Sequence, residues 1–239
     1  MVDKPGRRKK ATRPWGKVAA VVVVVLLVGA AGWYIYENYI YSPPPIFARI
    51  DTTDGAILVE LFPSCAPKTV ANFVSLAESG FYNNLAWHRI VKGFVIQTGD
   101  NYSQYGLNST RAYWGEGGTK ATIPLEWCGA LHNYEGYLAM AHSSSSTNGG
   151  SQFYINLANS TDNLSLDGNY TVFGKVVSGM SVVLKLGNSP ICQPPTCPSG
   201  WQADEPLPAV FVNDIVILGT STTVTGQSTT SSSQNTNST

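Results

Sequence analysis

The sequence predicts a mainly β domain, built as an antiparallel barrel or sandwich with two helices and preceded by one membrane-spanning helix. Short apolar runs recur through residues 46–219, and Gly, Asn, Ser and Asp separate them. Only two segments repeat apolar residues at helical spacing. Near the N-terminus, residues 18–36 contain no charge. Many short strands with few helices are typical of a barrel or a sandwich.

The first element is an N-terminal anchor. Residues 1–17 hold seven Lys or Arg and one acid, a net charge of 7 − 1 = +6. The nineteen uncharged residues that follow would span about 28 Å as a helix, close to the thickness of a bilayer core. We therefore predict a cytoplasmic segment at 1–17, a signal-anchor helix at 18–40, and a single-pass cell-membrane protein whose domain is extracytoplasmic. Aromatic residues cluster at the far end of this run, at Trp33, Tyr34, Tyr36, Tyr39 and Tyr41.

A cleaved signal peptide is the alternative for this segment, with Gly29-Ala30-Ala31-Gly32 as a weak cleavage site. Residues 41–45 form a stiff Pro-rich spacer. The folded domain is predicted at 46–219, and the Ser/Thr-rich tail at 220–239 is predicted to be disordered. Residues 18–239 carry eight basic and fourteen acidic side chains, a net charge of 8 − 14 = −6. This acidic balance argues against a nucleic-acid partner.

The domain elements follow in order. Residues 47–50 and 56–61 are predicted to form two short strands, and Asp54-Gly55 between them predicts a hairpin. Pro67 opens a predicted helix at 68–79, and Gly80 follows at the position of a C-cap glycine. Apolar runs predict further strands at 88–97, 137–141, 152–157, 171–177 and 209–218. A second helix is predicted at 180–186.

The four cysteines and the sequons fit an oxidising compartment. Cys192 and Cys197 enclose four residues, which predicts a disulfide-closed loop, with a zinc half-site as the alternative. Cys65 and Cys128 could form a second pair or remain free thiols. Glycosylation is suggested by six sequons, at Asn101, Asn108, Asn159, Asn163, Asn169 and Asn237.

Several long motifs then occur in a fixed order. Residues 66–73 read APKTVANF, 87–100 read WHRIVKGFVIQTGD, 148–156 read NGGSQFYIN, and 166–168 read LDG ahead of VFGKV at 172–176. This set resembles the cyclophilin family of peptidyl-prolyl isomerases over nearly all of residues 46–219. The resemblance implies an eight-stranded antiparallel β-barrel capped by two α-helices, with a groove that binds X-Pro segments. It implies proline-containing polypeptides as partners and no cofactor. We also expect a monomer and no metal.

The resemblance also assigns roles to residues. Isomerisation requires rotation about an amide bond with a barrier of about 18–20 kcal/mol. A fixed guanidinium can stabilise the twisted amide, and Arg89 matches the family's catalytic arginine. Gln97 matches the glutamine that orients the arginine and the substrate backbone, and Phe94 matches a wall of the proline pocket. Further substrate-binding positions are implied at Val95, Ala141, His142, Gln152, Tyr154, Leu166, Tyr170 and Gly115.

Some positions depart from the family pattern. Val95 stands where Met is common, His142 where Asn is common, and Tyr170 where the best-studied members have His. Ser165 stands where those members have the Trp that grips cyclosporin, so we expect weak cyclosporin binding. Residues 101–114 and 193–208 are longer than the family needs.

These observations predict a peptidyl-prolyl cis-trans isomerase that assists folding of exported or surface proteins. The alternative is a catalytically weak binding module or chaperone for Pro-containing segments, suggested by the departures at Ser165, Tyr170 and His142. His88, His132 and His142 have no metal-binding spacing. We interpret His88 as a packed strand residue.

Overall fold

The computed structural model describes residues 15–36, 43–143 and 146–220. The chain divides into two compact units, residues 1–43 and 44–239. Most of the predicted basic segment, part of the spacer, Tyr39, Tyr41, the Ser/Thr-rich tail and the Asn237 sequon lie outside the described residues.

The first unit contains helix α1 (Trp15–Ile35), 21 residues long. Its segment Val18–Ile35 has a mean hydropathy of 2.5, and none of that segment is buried. At 1.5 Å per residue the helix is about 32 Å long, which is enough to cross a bilayer core. A membrane anchor and a signal sequence share this length and composition.

In the described part of the second unit, the strands form one antiparallel sheet of nine in the order β3-β9-β1-β2-β8-β6-β7-β5-β4. Its edge strands, β3 and β4, are consecutive in the chain and are separated only by Trp87 and His88, so the sheet curls back on itself. The resemblance implied eight strands, and the additional one is the two-residue β3. The strands are β1 (Ile46–Thr52), β2 (Gly55–Leu61), β3 (Leu85–Ala86), β4 (Arg89–Val91), β5 (Val95–Thr98), β6 (Tyr137–Met140), β7 (Phe153–Asn156), β8 (Val172–Ser178) and β9 (Phe211–Gly219).

Local sequence explains the first hairpin. Strands β1 and β2 pair from Ile46 with Leu61 to Thr52 with Gly55. Gly55 has φ +133°, a conformation that side chains disfavour, and Thr52 Oγ1 donates to its carbonyl at 2.6 Å. The predicted Asp-Gly hairpin is confirmed.

Within residues 43–143 and 146–220, three α-helices and two three-residue 3-10 helices, Asn101–Ser103 and Arg111–Tyr113, accompany the sheet. Helix α2 (Pro67–Glu78) and helix α4 (Met180–Gly187) confirm the two predicted helices, and a four-residue helix α3 (Thr161–Leu164) is additional. Helix α2 buries Val70, Phe73 and Ala77. The Phe73 ring lies edge-on to that of Phe153 in β7, with centroids 5.4 Å apart. These contacts place α2 against the barrel core.

Two disulfides tie loops to this frame. Cys65, just before α2, is bonded to Cys128, and Cys192 is bonded to Cys197. Glu126, two residues before Cys128, accepts hydrogen bonds from the backbone N–H groups of Lys68 and Thr69 at 3.0 and 2.8 Å. The carboxylate thereby caps the N-terminus of α2 from a distant part of the chain.

Candidate active site

The site is built on the outer face of strands β5–β8. Along these strands the side chains alternate between two buried clusters, so that Ile96, Leu138, Ile155 and Phe173 join the barrel core. Their neighbours Val95, Ala139, Tyr154 and Val172 form a second cluster on the opposite face. Both faces are therefore apolar, which explains why these strands appear as continuous apolar runs in the sequence.

A hairpin brings Arg89 and Gln97 together. They are direct partners in the β4–β5 pairing, and Gly93, with φ +72°, lies in the turn between the strands. Arg89 Nη1 donates to Gln97 Oε1 at 3.3 Å. Gln97 Nε2 in turn donates to Gln152 Oε1 at 2.8 Å. The guanidinium is thus held by a chain of two amide side chains.

Next to Arg89 lies a pocket of about 140 Å³, here called the apolar pocket. Every residue that lines it was predicted as a site residue: Arg89, Phe94, Val95, Gln97, Ala141, His142, Tyr154, Leu166 and Tyr170. The rings of Tyr154 and Tyr170 meet edge-on, with centroids 5.8 Å apart. The pocket is a small, ring-walled space beside a cation.

The other two predicted residues, Gln152 and Gly115, line an adjoining cavity of about 490 Å³, here called the groove cavity. It shares Gln97, Ala141 and His142 with the apolar pocket. Gln152 Nε2 donates to the carbonyls of Gly115 and Gly117, at 2.9 and 2.7 Å. All eleven predicted catalytic and substrate-binding residues therefore lie along one continuous surface.

Buried Asp100 positions the loop that carries Gly115, one of the residues that line the groove cavity. Its carboxylate accepts hydrogen bonds from the backbone N–H groups of Gly115 and Tyr102. Burial raises the pKa of Asp100, although these N–H groups favour its charged form. A side chain at Gly117 would collide with the Asp100 carboxylate, so this loop requires glycine there.

Behind the apolar pocket lies a polar network that sequence reasoning missed. The hydroxyl of Tyr154 donates to Asn133 Oδ1 at 2.8 Å. Asn133 Nδ2 donates to Asp167 Oδ1 at 2.8 Å, and His132 Nδ1 lies 2.7 Å from Asp167 Oδ2. Because Asp167 follows Leu166, the network fixes two pocket walls relative to each other. The only sequence signal for it is the hydroxyl of Tyr154 on an apolar strand, which needs a buried partner.

These contacts also shift two ionisations. Burial raises the pKa of Tyr154 well above its usual range, and Tyr170 and Asp167 add to the effect. Partial burial opposes ionisation of Asp167, but the hydrogen bonds from Asn133 and His132 outweigh it, so its pKa is lowered. Tyr154 therefore stays neutral and Asp167 stays ionised near neutral pH.

His142 stands at the mouth of the apolar pocket. Its ring stacks on Tyr170, with centroids 4.2 Å apart and planes 11° apart. Its Nδ1 and Nε2 lie 2.9 and 2.8 Å from the carbonyl oxygens of Ser143 and Asn169. Two of the residues that depart from the family pattern, His142 and Tyr170, are thus in direct contact.

His88 is a packed strand-end residue, as predicted, and is 4% exposed. Burial, together with the adjacent Arg89, lowers its pKa to about 4, so it is neutral near pH 7. Among the described residues, no group of three or more His, Cys, Asp or Glu is arranged to hold a metal ion.

Comparison with known proteins agrees with this geometry. The family model for "Cyclophilin type peptidyl-prolyl cis-trans isomerase/CLD" matches residues 47–214. The chain belongs to the cyclophilin family. It is therefore a cyclophilin-type peptidyl-prolyl cis-trans isomerase, with the mainly β fold that the resemblance implied.

Individual relatives match different lengths of the chain. The isomerase-like 1 protein of Aspergillus oryzae is 42% identical over 137 residues, which is 57% of this chain and 79% of that protein. The isomerase-like 2 protein of Gibberella zeae is 34% identical over 225 residues, which is 90% of this chain and 36% of that protein. A crystal structure of a Cryptosporidium parvum cyclophilin, determined in the presence of the dipeptide Ala-Pro, has a TM-score of 0.60 and 32% identity. The match covers 72% of this chain and 98% of the Cryptosporidium parvum chain.

Proposed function

We propose that this isomerase acts on X-Pro bonds of exported or surface proteins and assists their folding, with Arg89 as the catalytic hydrogen-bond donor. The observation that supports this role best is that Gln97 holds the Arg89 guanidinium at the edge of the apolar pocket. A cation fixed beside a space of about 140 Å³ suits a proline ring whose amide must twist.

The chemistry needs no covalent step. In the planar amide the nitrogen lone pair is delocalised, and rotation returns it to the nitrogen. A donor that meets this lone pair binds the twisted state better than either planar state, which is the condition for catalysis. Phe94, Tyr154 and Leu166 would hold the proline ring while Arg89 donates. The amide chain through Gln97 and Gln152 pre-positions the donor before substrate arrives.

An exported location is supported by two features. Helix α1 is long and apolar enough to cross a bilayer, and Lys and Arg are concentrated before it. The two disulfides suit an oxidising compartment. Protease added to intact cells is expected to digest the domain; a domain that is digested only after the cells are lysed would refute the extracytoplasmic location.

Activity is tested by exchange spectroscopy on an X-Pro peptide with the full-length chain in detergent. The protein is expected to accelerate cis-trans exchange, and Arg89→Ala to lower kcat/KM at least about 100-fold, the typical effect of losing one transition-state donor. Arg49→Ala is the matched control, since Arg49 pairs with Asp51 on β1, away from the site. Loss of activity in both variants would contradict the role of Arg89.

A catalytically weak binding module is the second candidate, and the stack of His142 on Tyr170 favours it. Two stacked rings at the mouth of the apolar pocket would slow release of a bound segment. Tight peptide binding without acceleration of exchange would support this candidate over the enzyme.

Weak cyclosporin binding, a monomeric state and glycosylation remain part of the proposal. Ser165 is exposed and its Oγ donates to the Asp162 carbonyl at 2.7 Å, so no ring stands there to hold the drug. Ser165→Trp is expected to tighten cyclosporin binding, measured by inhibition of exchange.

Asn163 is fully buried and its Nδ2 donates to Phe94 and Asn156, which makes this sequon inaccessible in the folded domain. Glycans are proposed only at exposed sequons such as Asn108 and Asn169.

A further inference from the structure

The two long segments at residues 101–114 and 193–208 are joined by a buried ion pair. Arg111 Nη1 donates to Glu205 Oε2 at 2.8 Å, and the two side chains are 4% and 1% exposed. The guanidinium carbon lies 4.0 Å from the ring centroid of Trp114 and 3.7 Å from that of Trp201. The pair is thereby enclosed by aromatic rings and holds the two segments together.

These segments are also attached to the strand that bears Arg89. Ile90, the next residue, donates its backbone N–H to the Asp204 carbonyl at 2.8 Å. Gln202 Nε2 donates to the carbonyls of Ala112 and Trp114, both at 3.1 Å. The joined segments are therefore fixed directly beside the catalytic strand.

Between them and Arg89 lies a cavity of about 380 Å³, here called the annex cavity. Arg89 and Gln97 line it and also line the apolar pocket, while Trp114, Gln202 and Glu205 belong to the long segments. A peptide with its proline in the apolar pocket would place a neighbouring residue at the annex cavity.

Two buried side chains that line the annex cavity have unused polar atoms. Trp114 is 3% exposed, and its indole N–H has no acceptor within the described part of the chain. His88 is 4% exposed, and its ring nitrogens lie near Gln152 and the Ala86 carbonyl without reaching hydrogen-bond geometry. As a neutral imidazole it offers one donor and one acceptor.

The charges around the annex cavity balance. Arg111 neutralises Glu205, and the Arg89 cation is matched by the exposed carboxylate of Glu116, which also lines the cavity. A wall without net charge that offers both donors and acceptors fits an uncharged ligand with both kinds of group. Among side chains, the carboxamides of Gln and Asn have this property.

We propose that the annex cavity is a substrate subsite for the carboxamide side chain of a Gln or Asn that neighbours the isomerised proline. This inference rests on the proposed catalytic groove. Trp114 donates to the carboxamide oxygen, and the amide N–H groups donate to Glu116. A Gln or Asn side chain gives the Trp114 indole N–H the acceptor that it lacks in the free protein. An apolar side chain leaves this N–H unpaired and displaces water from Glu116 without replacing its hydrogen bonds.

The test measures kcat/KM for exchange with the full-length chain in detergent on two peptide series. One series varies the residue before proline and the other the residue after it, each among Gln, Leu, Glu and Lys. In one of the two series, kcat/KM for the Gln peptide is expected to be about ten times that for the Leu peptide, and higher than those for the Glu and Lys peptides. Trp114→Phe and, at an exposed position, Glu116→Ala are each expected to reduce this ratio to about threefold or less. The matched control is Trp127→Phe, since Trp127 is 66% exposed and does not line the cavity.

The outcomes separate the two proposals. No acceleration of any peptide would contradict the proposed function. Acceleration with no dependence on the varied residue, or with a preference for Lys or Glu, would overturn the carboxamide subsite and leave the enzyme intact. A Gln preference unchanged in both Trp114→Phe and Glu116→Ala would also overturn the subsite.

Discussion

The apolar pocket and the annex cavity share Arg89 and Gln97, but their remaining walls are built differently. The apolar pocket is formed mainly by side chains on or next to the strands, so strand register fixes its shape. The walls of the annex cavity come largely from two loops whose positions depend on Arg111 and Glu205, which are 94 residues apart. The comparison indicates that the sheet fixes the chemistry, while the loops can change the choice of substrate.

Breaking the Arg111–Glu205 ion pair tests how strongly this pair stabilises the loops that form the annex cavity. Arg111→Met leaves Glu205 charged, buried and unpaired, which is expected to lower the free energy of unfolding by about 3–5 kcal/mol. Urea unfolding of the full chain measures the change. The half-buried Arg49–Asp51 pair is the control: its side chains are 29% and 28% exposed, so its loss should cost less, about 1 kcal/mol. Equal losses for the two pairs would contradict the structural role of Arg111.

Removing each disulfide in turn compares the stability that the two bonds contribute, one on the side of the apolar pocket and one on the side of the annex cavity. Cys65 and Cys128 are 63 residues apart and tie the segment that leads to Leu131 and Asn133, whereas Cys192 and Cys197 are five apart and lie in an annex loop. Chain-entropy arguments predict a loss of about 4 kcal/mol when the first pair is replaced by Ser and about 2 kcal/mol for the second. Chemical denaturation measures both, and a larger loss from the short loop would reverse the expected order.

His88 gives the annex side a pH dependence. Its pKa is about 4 in the folded protein and about 6.5 when unfolded, so the unfolded chain binds the proton first as the pH falls. This contribution to stability is complete above pH 6.5 and is lost between pH 6.5 and 4, by about 3 kcal/mol in total. The free energy of unfolding, measured at several pH values between 4 and 6.5, should therefore rise with pH in the wild type and rise less steeply in His88→Gln. An identical slope in both proteins would exclude His88 as its source.

The smallest expected effect lies on the apolar side. Tyr154→Phe removes the hydroxyl that donates to Asn133 and keeps the ring. The free energy of unfolding should fall by about 1 kcal/mol, the usual contribution of one hydrogen bond. Exchange activity should stay within about threefold of wild type, because the pocket wall remains. A large loss of activity with no loss of stability would assign the hydroxyl a direct catalytic part.

Sequence reasoning was most successful where function depends on strand register. The motifs around Arg89, Gln97 and Tyr154 pointed to residues that line the apolar pocket. It divided some elements wrongly, since the run at 88–97 is two strands, β4 and β5, joined by a turn at Gly93. Apolar composition alone does not indicate where a hairpin turns.

The annex cavity could not be predicted, because its walls depend on contacts between distant loops. Nothing in the sequence near Arg111 identifies Glu205 as its partner, and the roles of Trp114 and Gln202 follow from that pairing. The Cys65–Cys128 bond does not follow from the sequence for the same reason, since 63 residues separate the two cysteines. The motifs therefore predict the shared chemistry of the family and not the surroundings that are particular to this chain.

The most direct test of the account compares binding with turnover in Arg89→Ala. Both quantities are measured by NMR on one sample of an X-Pro peptide, the Kd from titration and the cis-trans rate from exchange. If Arg89 acts mainly on the twisted amide, the exchange rate should fall at least about 100-fold while Kd changes by less than about threefold. An unchanged exchange rate, or a fall in affinity as large as the fall in rate, would contradict the catalytic role of Arg89.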